Sequence, residues 1–419
     1  MEGGMAYRPH WIGGCCTSTA IAPFFYEGAE LDEIKKGHVP SLEELVAKRR
    51  RLFEKANDPS SGIPCLECGY LIEKDEEAVS FDKLSYVDLQ HYTTCNNRCI
   101  YCYYAQQNMF LPPQYDVLKH LDVFAKSGNI AEGCIVLFNG GEPALLKDFD
   151  KYVRYFRDNK IQIELYTNAT HFSESIYSHI AAGHIPRTNI SVDAGTAATY
   201  KVVHKSDKYD TVIENIARYS EAAEKSHTLI QSKYIFVEEN SGPDDIRGFV
   251  HAMLAVRPQV VLLTMNFEHL TLAPETNPNA ETAHTYDAEV EAYANMYVQF
   301  KRSGWEVNHL IHYITIVEAG KHLVERVMKR IGELEEQTTF DPRAALRTFR
   351  GLHDEPRVEE TIRQRLARLP WLLPRGTRRR ALAAKMWHAV HDRWASHAGD
   401  ESGELRSTCE ESRQTRTDS

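Results

Sequence analysis

No apolar run in the 419-residue chain comes near the roughly 20 residues a membrane-spanning helix needs, so none is expected. The first residues, MEGGMAYRPHWIGGCC, carry neither the basic start nor the apolar core of a secretory signal. A cytoplasmic setting is therefore expected. Internal repeats at a fixed short period are absent, which argues against a solenoid or propeller. An excess of positive charge is lacking too: the formal net charge of -10 argues against a whole-chain binder of nucleic acid or anionic membrane. The charge is uneven, however, because residues 361–380 hold seven arginines and no acid. Hydrophobic residues make up 42% of the chain, enough at this length to bury a large core.

Disulfides are the next structure this setting disfavours, so the nine cysteines point to metal ligation. Seven of them fall in three groups: Cys15 with Cys16, Cys65 with Cys68, and Cys95, Cys99 and Cys102 within HYTTCNNRCIYCYYAQQNM at 91–109. Thiolates are soft ligands that suit zinc and iron–sulfur clusters. The triplet admits two readings. A structural zinc ion wants four ligands, and His91 would complete a Cys3His set. A cubane cluster with three irons held by cysteine and the fourth left open needs three and no more.

From about residue 86 the pattern turns regular. Strands are expected at 86–92, 133–141, 161–169, 188–195, 229–240 and 260–267. Helices are expected at 115–128, 145–160, 173–183, after SVDAG, at 209–225, at 243–256 and near 284–302. Such alternation predicts a parallel sheet with right-handed crossovers, curled into a barrel or part of one. In these folds the site lies at the carboxyl ends of the strands. Those ends carry TTCNNRCIYC, NGGEP, TNAT, SVDAG, VEEN and NFEH. Before the first of these strands the chain reads as irregular, apart from a charged helix at 41–57 with Ser41 as its N-cap and Glu44 in capping-box position.

Cys-x3-Cys-x2-Cys after a first strand, with Tyr101 before the last cysteine, resembles the radical S-adenosylmethionine (radical SAM) superfamily. GGEP at 140–143 after the second strand, TNA at 167–169 and SVDAGTAATYKVVH after the fourth agree with it, so the resemblance covers roughly residues 85–270. It implies an α/β fold: a parallel (β/α)6 partial barrel with an irregular N-terminal extension and a helical C-terminal region. It implies that Cys95, Cys99 and Cys102 bind a [4Fe-4S] cluster whose open iron chelates SAM. Reductive cleavage of SAM would then give a 5'-deoxyadenosyl radical for hydrogen abstraction. The cofactor carries the hard chemistry and the protein positions it. Gly140 and Gly141 would let backbone approach the methionyl amino group, Glu142 would face its charge, and Pro143 would fix the turn. Ser191, Asp193 and Asn168 would hydrogen-bond ribose or carboxylate, and Tyr101 would lie beside the adenine. Ser191 and Asn168 can equally be strand-end turn or cap residues. Lys233 and Glu238 are weaker candidates on the fifth strand. A reductant such as flavodoxin or ferredoxin is implied as partner.

The chain departs from one large branch of that family, because only Cys409 follows Cys134 and no C-terminal cysteine-rich domain is expected. IPCLECGY at 63–70 resembles a zinc-ribbon knuckle, so Cys65 and Cys68 are candidates for a second site, zinc or an auxiliary iron–sulfur cluster. Cys15, Cys16, a histidine or Cys409 would supply the remaining ligands; two unliganded thiols in a turn are the alternative. Cys134 reads as a buried inert thiol, or else as a hydrogen-atom donor. The expected divisions are 1–84, an N-terminal extension; 85–305, the core; 306–395, helical and arginine-rich; and 396–419, a polar disordered tail. The arginine-rich part reads as a solvated helical face, with anionic membrane or nucleic acid as alternative ligands. Three functions remain open: radical chemistry on a small molecule, saccharide or peptide; the same chemistry on RNA; and a zinc-stabilised α/β binding protein.

Overall fold

Apolar and polar side chains alternate along the central strands, and that alternation decides which face of the sheet the helices cover. The computed structural model describes residues 3–14, 24–61, 79–266, 284–305, 307–309 and 318–335, all within the unit Met1–His353. Cys15, Cys16, Cys65, Cys68, Cys409, NFEH after its Asn266, the arginine-rich segment and the tail lie outside the described residues.

Six parallel strands form the centre: β4 (Leu84–Leu89), β5 (Ile130–Phe138), β6 (Gln162–Thr167), β7 (Arg187–Ser191), β8 (Leu229–Phe236) and β9 (Val260–Met265). Each matches an expected strand, with the polar carboxyl-end residues left to the loops. Between them run α3 (Tyr103–Gln106), α4 (Val117–Lys126), α5 (Phe149–Asp158), α6 (Glu174–Ala181), α7 (Ala197–His204), α8 (Tyr209–Glu224) and α9 (Pro243–Val256). After β9 come α10 (Asp287–Arg302), β10 (Val307–His309), parallel to β9, and α11 (Glu318–Leu334).

The N-terminal residues differ from the irregular stretch expected of them. They form β1 (Gly4–Tyr7), β2 (Trp11–Gly13) and β3 (Phe24–Glu27), followed by α1 (Gly28–Lys35) and α2 (Leu42–Ala56). β1 lies parallel to β4, and β2 and β3 continue antiparallel beyond it. Segments of three or four residues are too short to show a period-two pattern. The sheet order is β10-β9-β8-β7-β6-β5-β4-β1-β2-β3, an open sheet with β3 and β10 at its edges. Ser41 caps α2 as expected, its hydroxyl accepting from the Glu44 N–H at 3.1 Å, while the Glu44 carboxylate accepts from the Tyr26 hydroxyl instead of closing the capping box.

Val87, Leu89, Val136, Phe138, Ile163, Leu165, Ile190, Ile230, Tyr234 and Phe236 belong to one buried core. Phe138 stacks on Phe149 at 5.5 Å and lies against Tyr92, Tyr152 and Phe156. Burying one such ring stabilises by about 1.5–3 kcal/mol. The other parity of the same strands is polar. Asp88, Leu137, Glu164 and Arg187 form one cross-strand row, and Tyr166, Asn189 and Gln231 the next. Arg8 pairs with Asp88 at 2.5 Å. Glu164 accepts from Tyr166 at 2.9 Å and Asn189 at 3.0 Å, with Arg187 3.5 Å away. Among the described residues no helix is long and apolar enough to cross a membrane.

His91, once a possible zinc ligand, is fully buried between Tyr92, Tyr115 and Tyr152, with Nε2 2.9 Å from the Tyr152 hydroxyl. Burial lowers its pKa to about 3. Between that value and an unfolded value of about 6.5, the unfolded chain holds a proton that the folded one lacks, so stability falls as pH drops below about 6.5. We expect urea unfolding between pH 6 and 4 to show a pH slope smaller by about one proton in His91→Phe than in the wild type. Equal slopes would show that His91 is not held neutral.

Candidate functional site

The last carbonyls of a helix have no partner within it. In α7 two of them accept from the cysteine loop: the Arg98 N–H bonds the His204 carbonyl at 3.1 Å and the Ile100 N–H bonds Val203 at 2.9 Å. Lys205 ends the helix in left-handed conformation. A turn from the Cys99 carbonyl to the Cys102 N–H, 3.1 Å, then leads into α3. The loop after β4 is thereby fastened to the helix after β7.

The three thiols are partly exposed and free of disulfides. Burial, with the Glu142 carboxylate second, pushes the Cys95 thiol up to about 11. The Cys99 thiol is raised too, first by burial and then by the facing charges of Cys102 and Cys95. Cys95 and Cys99 are thus reluctant to ionise until a cation offsets that burial and charge. Among the described residues no three Cys, His, Asp or Glu groups stand close enough to ligate a single metal ion. A cubane spreads its cysteines over three irons, so a cluster does not require the three sulfurs to converge on one ion.

Sequence reasoning missed His204. Its Nε2 lies 2.9 Å from the Val192 carbonyl, so that nitrogen carries the proton, and the bare Nδ1 faces the Cys99 sulfur at 3.0 Å. A lone histidine at the end of a short helix carries no motif of its own. Asn168 reaches the cysteines as well: its amide nitrogen is 3.6 Å from the Cys95 sulfur and 2.9 Å from the Asn96 side-chain oxygen. Asn96 in turn donates to the Thr170 hydroxyl at 2.7 Å.

The GGEP segment packs on the residues that lead into the cysteines. Gly140 adopts φ +103°, and a Cβ there would lie 2.7 Å from the Tyr92 carbonyl oxygen. A Cβ on Gly141 would lie 2.2 Å from the Thr94 oxygen, so both positions are closed to side chains by the protein itself. Glu142 is buried and its carboxylate accepts from the Ala144 N–H at 3.0 Å, the Thr167 hydroxyl at 2.7 Å and the Asn168 N–H at 2.7 Å. Burial raises its pKa, against the lowering effect of those donors. Pro143 opens the single turn Pro143–Leu145.

Asp193 is likewise buried, with φ +49°. One carboxylate oxygen accepts from the Ile235 N–H at 2.6 Å; the other accepts from the Tyr101 hydroxyl and lies 3.5 Å from His204 Nε2. Tyr101 meets the His204 ring edge-on at 6.2 Å. Ser191 and Lys233 stand opposite each other on β7 and β8. Both are half-buried, and neither side chain has a hydrogen bond or ion pair among the described residues. Glu238 is exposed in the turn after β8, and Cys134 is buried in β5.

Residues 89–231 match the family model described as Radical SAM superfamily. Over 147 residues the chain is 30% identical to GTP 3',8-cyclase of Aliarcobacter butzleri (strain RM4018), covering 34% of this chain and 45% of that protein. GTP 3',8-cyclase of Clostridium botulinum (strain Hall) is 26% identical over 142 residues, 32% of this chain and 43% of that protein. The chain spans less than half the length of these curated relatives. A crystal structure of Streptococcus suis SuiB bound to S-adenosylmethionine is similar with a TM-score of 0.41 and 15% identity, over 54% of this chain and 50% of that one.

The geometry separates two kinds of polar residue at the strand ends. Asp193→Ala leaves the buried Tyr101 hydroxyl and Ile235 N–H without acceptors, each worth about 1–3 kcal/mol. Ser191→Ala removes no protein contact and should stay within about 0.5 kcal/mol of the wild type. Chemical unfolding of the two variants checks this; equal stabilities would show that Asp193 does not hold the loops.

Proposed function

We propose, on the premise that this chain belongs to the radical SAM superfamily, that it holds a [4Fe-4S] cluster through Cys95, Cys99 and Cys102 and uses it to cleave S-adenosylmethionine. The observation that carries this reading is the cysteine loop itself: three free thiols on one loop that two backbone hydrogen bonds fasten to the end of α7. When bound, the cluster supplies the electron that breaks the C–S bond of SAM and yields a 5'-deoxyadenosyl radical. The residues divide the remaining work. Glu142 and Asp193 hold the loops after β5, β6 and β7 in register, with all their oxygens on protein donors. Glu142 thus acts on the methionyl end of SAM through the backbone it fixes. Asn168 directs its amide nitrogen at the Cys95 sulfur, and the His204 ring packs against that of Cys99. Ser191 and Lys233 offer a hydroxyl and a cation that no group among the described residues uses, and these suit the carboxylate or ribose of SAM.

We take the polar face of the sheet, built from Arg8, Asp88, Glu164, Tyr166, Arg187 and Asn189, as the floor of the substrate site. A hydrogen-bonding substrate such as a saccharide, a peptide or another polar small molecule suits such a floor better than a hydrocarbon. Cys65 and Cys68 are proposed as ligands of a second metal, zinc or an auxiliary iron–sulfur cluster.

Anaerobically reconstituted protein should be brown and, given SAM and dithionite, should form 5'-deoxyadenosine. Cys99→Ala should lower that yield by more than about 100-fold, because removing one ligand leaves the cluster without its third anchor. A colourless protein with stoichiometric zinc and no SAM cleavage would contradict the reading. Iron or zinc retained after Cys95, Cys99 and Cys102 are all replaced by Ala would assign metal to Cys65 and Cys68, and none retained would remove that assignment.

A further inference from the structure

Three arginines are buried among the described residues, and the fold treats one of them differently. Arg49 gives its guanidinium to three carbonyls, those of Phe81, Lys83 and Gly4, at 2.9, 2.7 and 3.2 Å. Arg8 pairs with Asp88 at 2.5 Å. Arg187, 6% exposed, has only the Glu164 carboxylate, 3.5 Å from its Nη1. A full N–H···O bond spans about 2.7–3.2 Å, so this contact is weak. The Arg187 Nε is buried without an acceptor, and beyond Glu164 the side chain makes no hydrogen bond or ion pair among the described residues. Glu164 is itself shared, because its Oε1 accepts from Tyr166 and Asn189 and only Oε2 is turned to Arg187. A buried cation is costly unless it is paired and hydrogen-bonded, and each buried donor left unused calls for a cause. Arg49 shows how this fold satisfies a guanidinium that serves structure alone.

The unused donors have a definite shape. Nη1 is turned to Glu164, so Nε and Nη2 remain, the two nitrogens along one side of the guanidinium plane. Their parallel N–H bonds match two oxygens of a carboxylate or a phosphate. Arg187 opens β7 and shares the parity of Asn189 and Ser191, so it belongs to the polar face. Ser191 stands four residues further along the strand, about 13 Å at about 3.3 Å per residue. We infer that Arg187 anchors an anionic substrate, binding its carboxylate or phosphate group through the Nε–Nη2 edge. The reacting carbon is then held towards SAM at the carboxyl ends of the strands, and the acid lies at the other end of the polar face. Among the polar molecules that face admits, those without an acid group are excluded. This inference rests on the polar face being the floor of the substrate site, as proposed above.

The test uses the full chain without its cluster, unfolded in urea at fixed ionic strength while chloride is replaced by acetate or by phosphate. A ligand that binds only the folded state raises the unfolding midpoint as its concentration rises. The wild-type midpoint should climb with either anion, and the stronger of the two names the group. Arg187→Lys keeps a charge beside Glu164 but loses the fork, so the affinity drawn from the climb should be about tenfold weaker or worse. In Arg187→Met the anion-specific climb should vanish. General salt effects act on all three proteins alike. Equal slopes in the wild type and both variants would overturn the proposal. So would the release of one inorganic phosphate or sulfate per chain from denatured protein that had been purified in chloride, which would assign the edge to a resident ion instead of a substrate. Failure of the cluster reading is separate and visible: no iron is retained on reconstitution, whatever the anions do to the midpoint.

Discussion

The site depends on one backbone contact, the pair of hydrogen bonds by which Arg98 and Ile100 satisfy the last carbonyls of α7. The eight-residue stretch Cys95–Cys102 has no regular structure of its own and cannot hold three sulfurs in place alone. A helix end has acceptors that must be satisfied, and the cysteine loop has donors that must be satisfied. Each solves the other's deficit. The consequence is that Cys99 lies against His204, and Tyr101 against Asp193, before any ligand is considered.

Buried carboxylates extend this arrangement around the sheet. Glu142, after β5, accepts from the N–H of Asn168 after β6. Asp193, after β7, accepts from Ile235 in β8 and from Tyr101 in the loop after β4. Asp245, in α9, accepts from the N–H groups of Gly195 and Thr196 after β7 at 2.8 and 3.1 Å. In each case a carboxylate from one loop satisfies donors of another, and a buried charge is tolerable only when so bonded. Contacts of this kind fix the relative positions of loops that lie far apart in sequence. Ser191 and Lys233, whose side chains have no hydrogen bond or ion pair among the described residues, are the groups proposed above for the ligand.

Much of the architecture could be read from the residues. β5 ends in an apolar run and β9 is one, β6 and β8 alternate apolar with polar residues, and the triplet, GGEP and SVDAG stand at strand ends. What could not be read was which polar groups the fold consumes. Glu142 and Asp193 look like ligand-facing acids because sequence records a charge and not its partners; in the fold each carboxylate accepts from protein donors of neighbouring segments. Asn168 has both functions written over one side chain, a turn and a contact to sulfur. β1 was invisible because four residues show no period, yet it brings Arg8 to Asp88 and so extends the polar face. His204 was invisible because its role exists only once β7 and the cysteine loop are adjacent.

The central claim is that the cysteine loop is fastened to the end of α7 through the Arg98 and Ile100 amides. Amide hydrogen exchange in the metal-free protein tests it most directly, since exchange reports the opening of individual hydrogen bonds. The Arg98 and Ile100 amides should exchange slowly, with protection close to that of the amides within α7. Exchange of those two amides at the rate of an unstructured peptide, while α7 stays protected, would contradict the account.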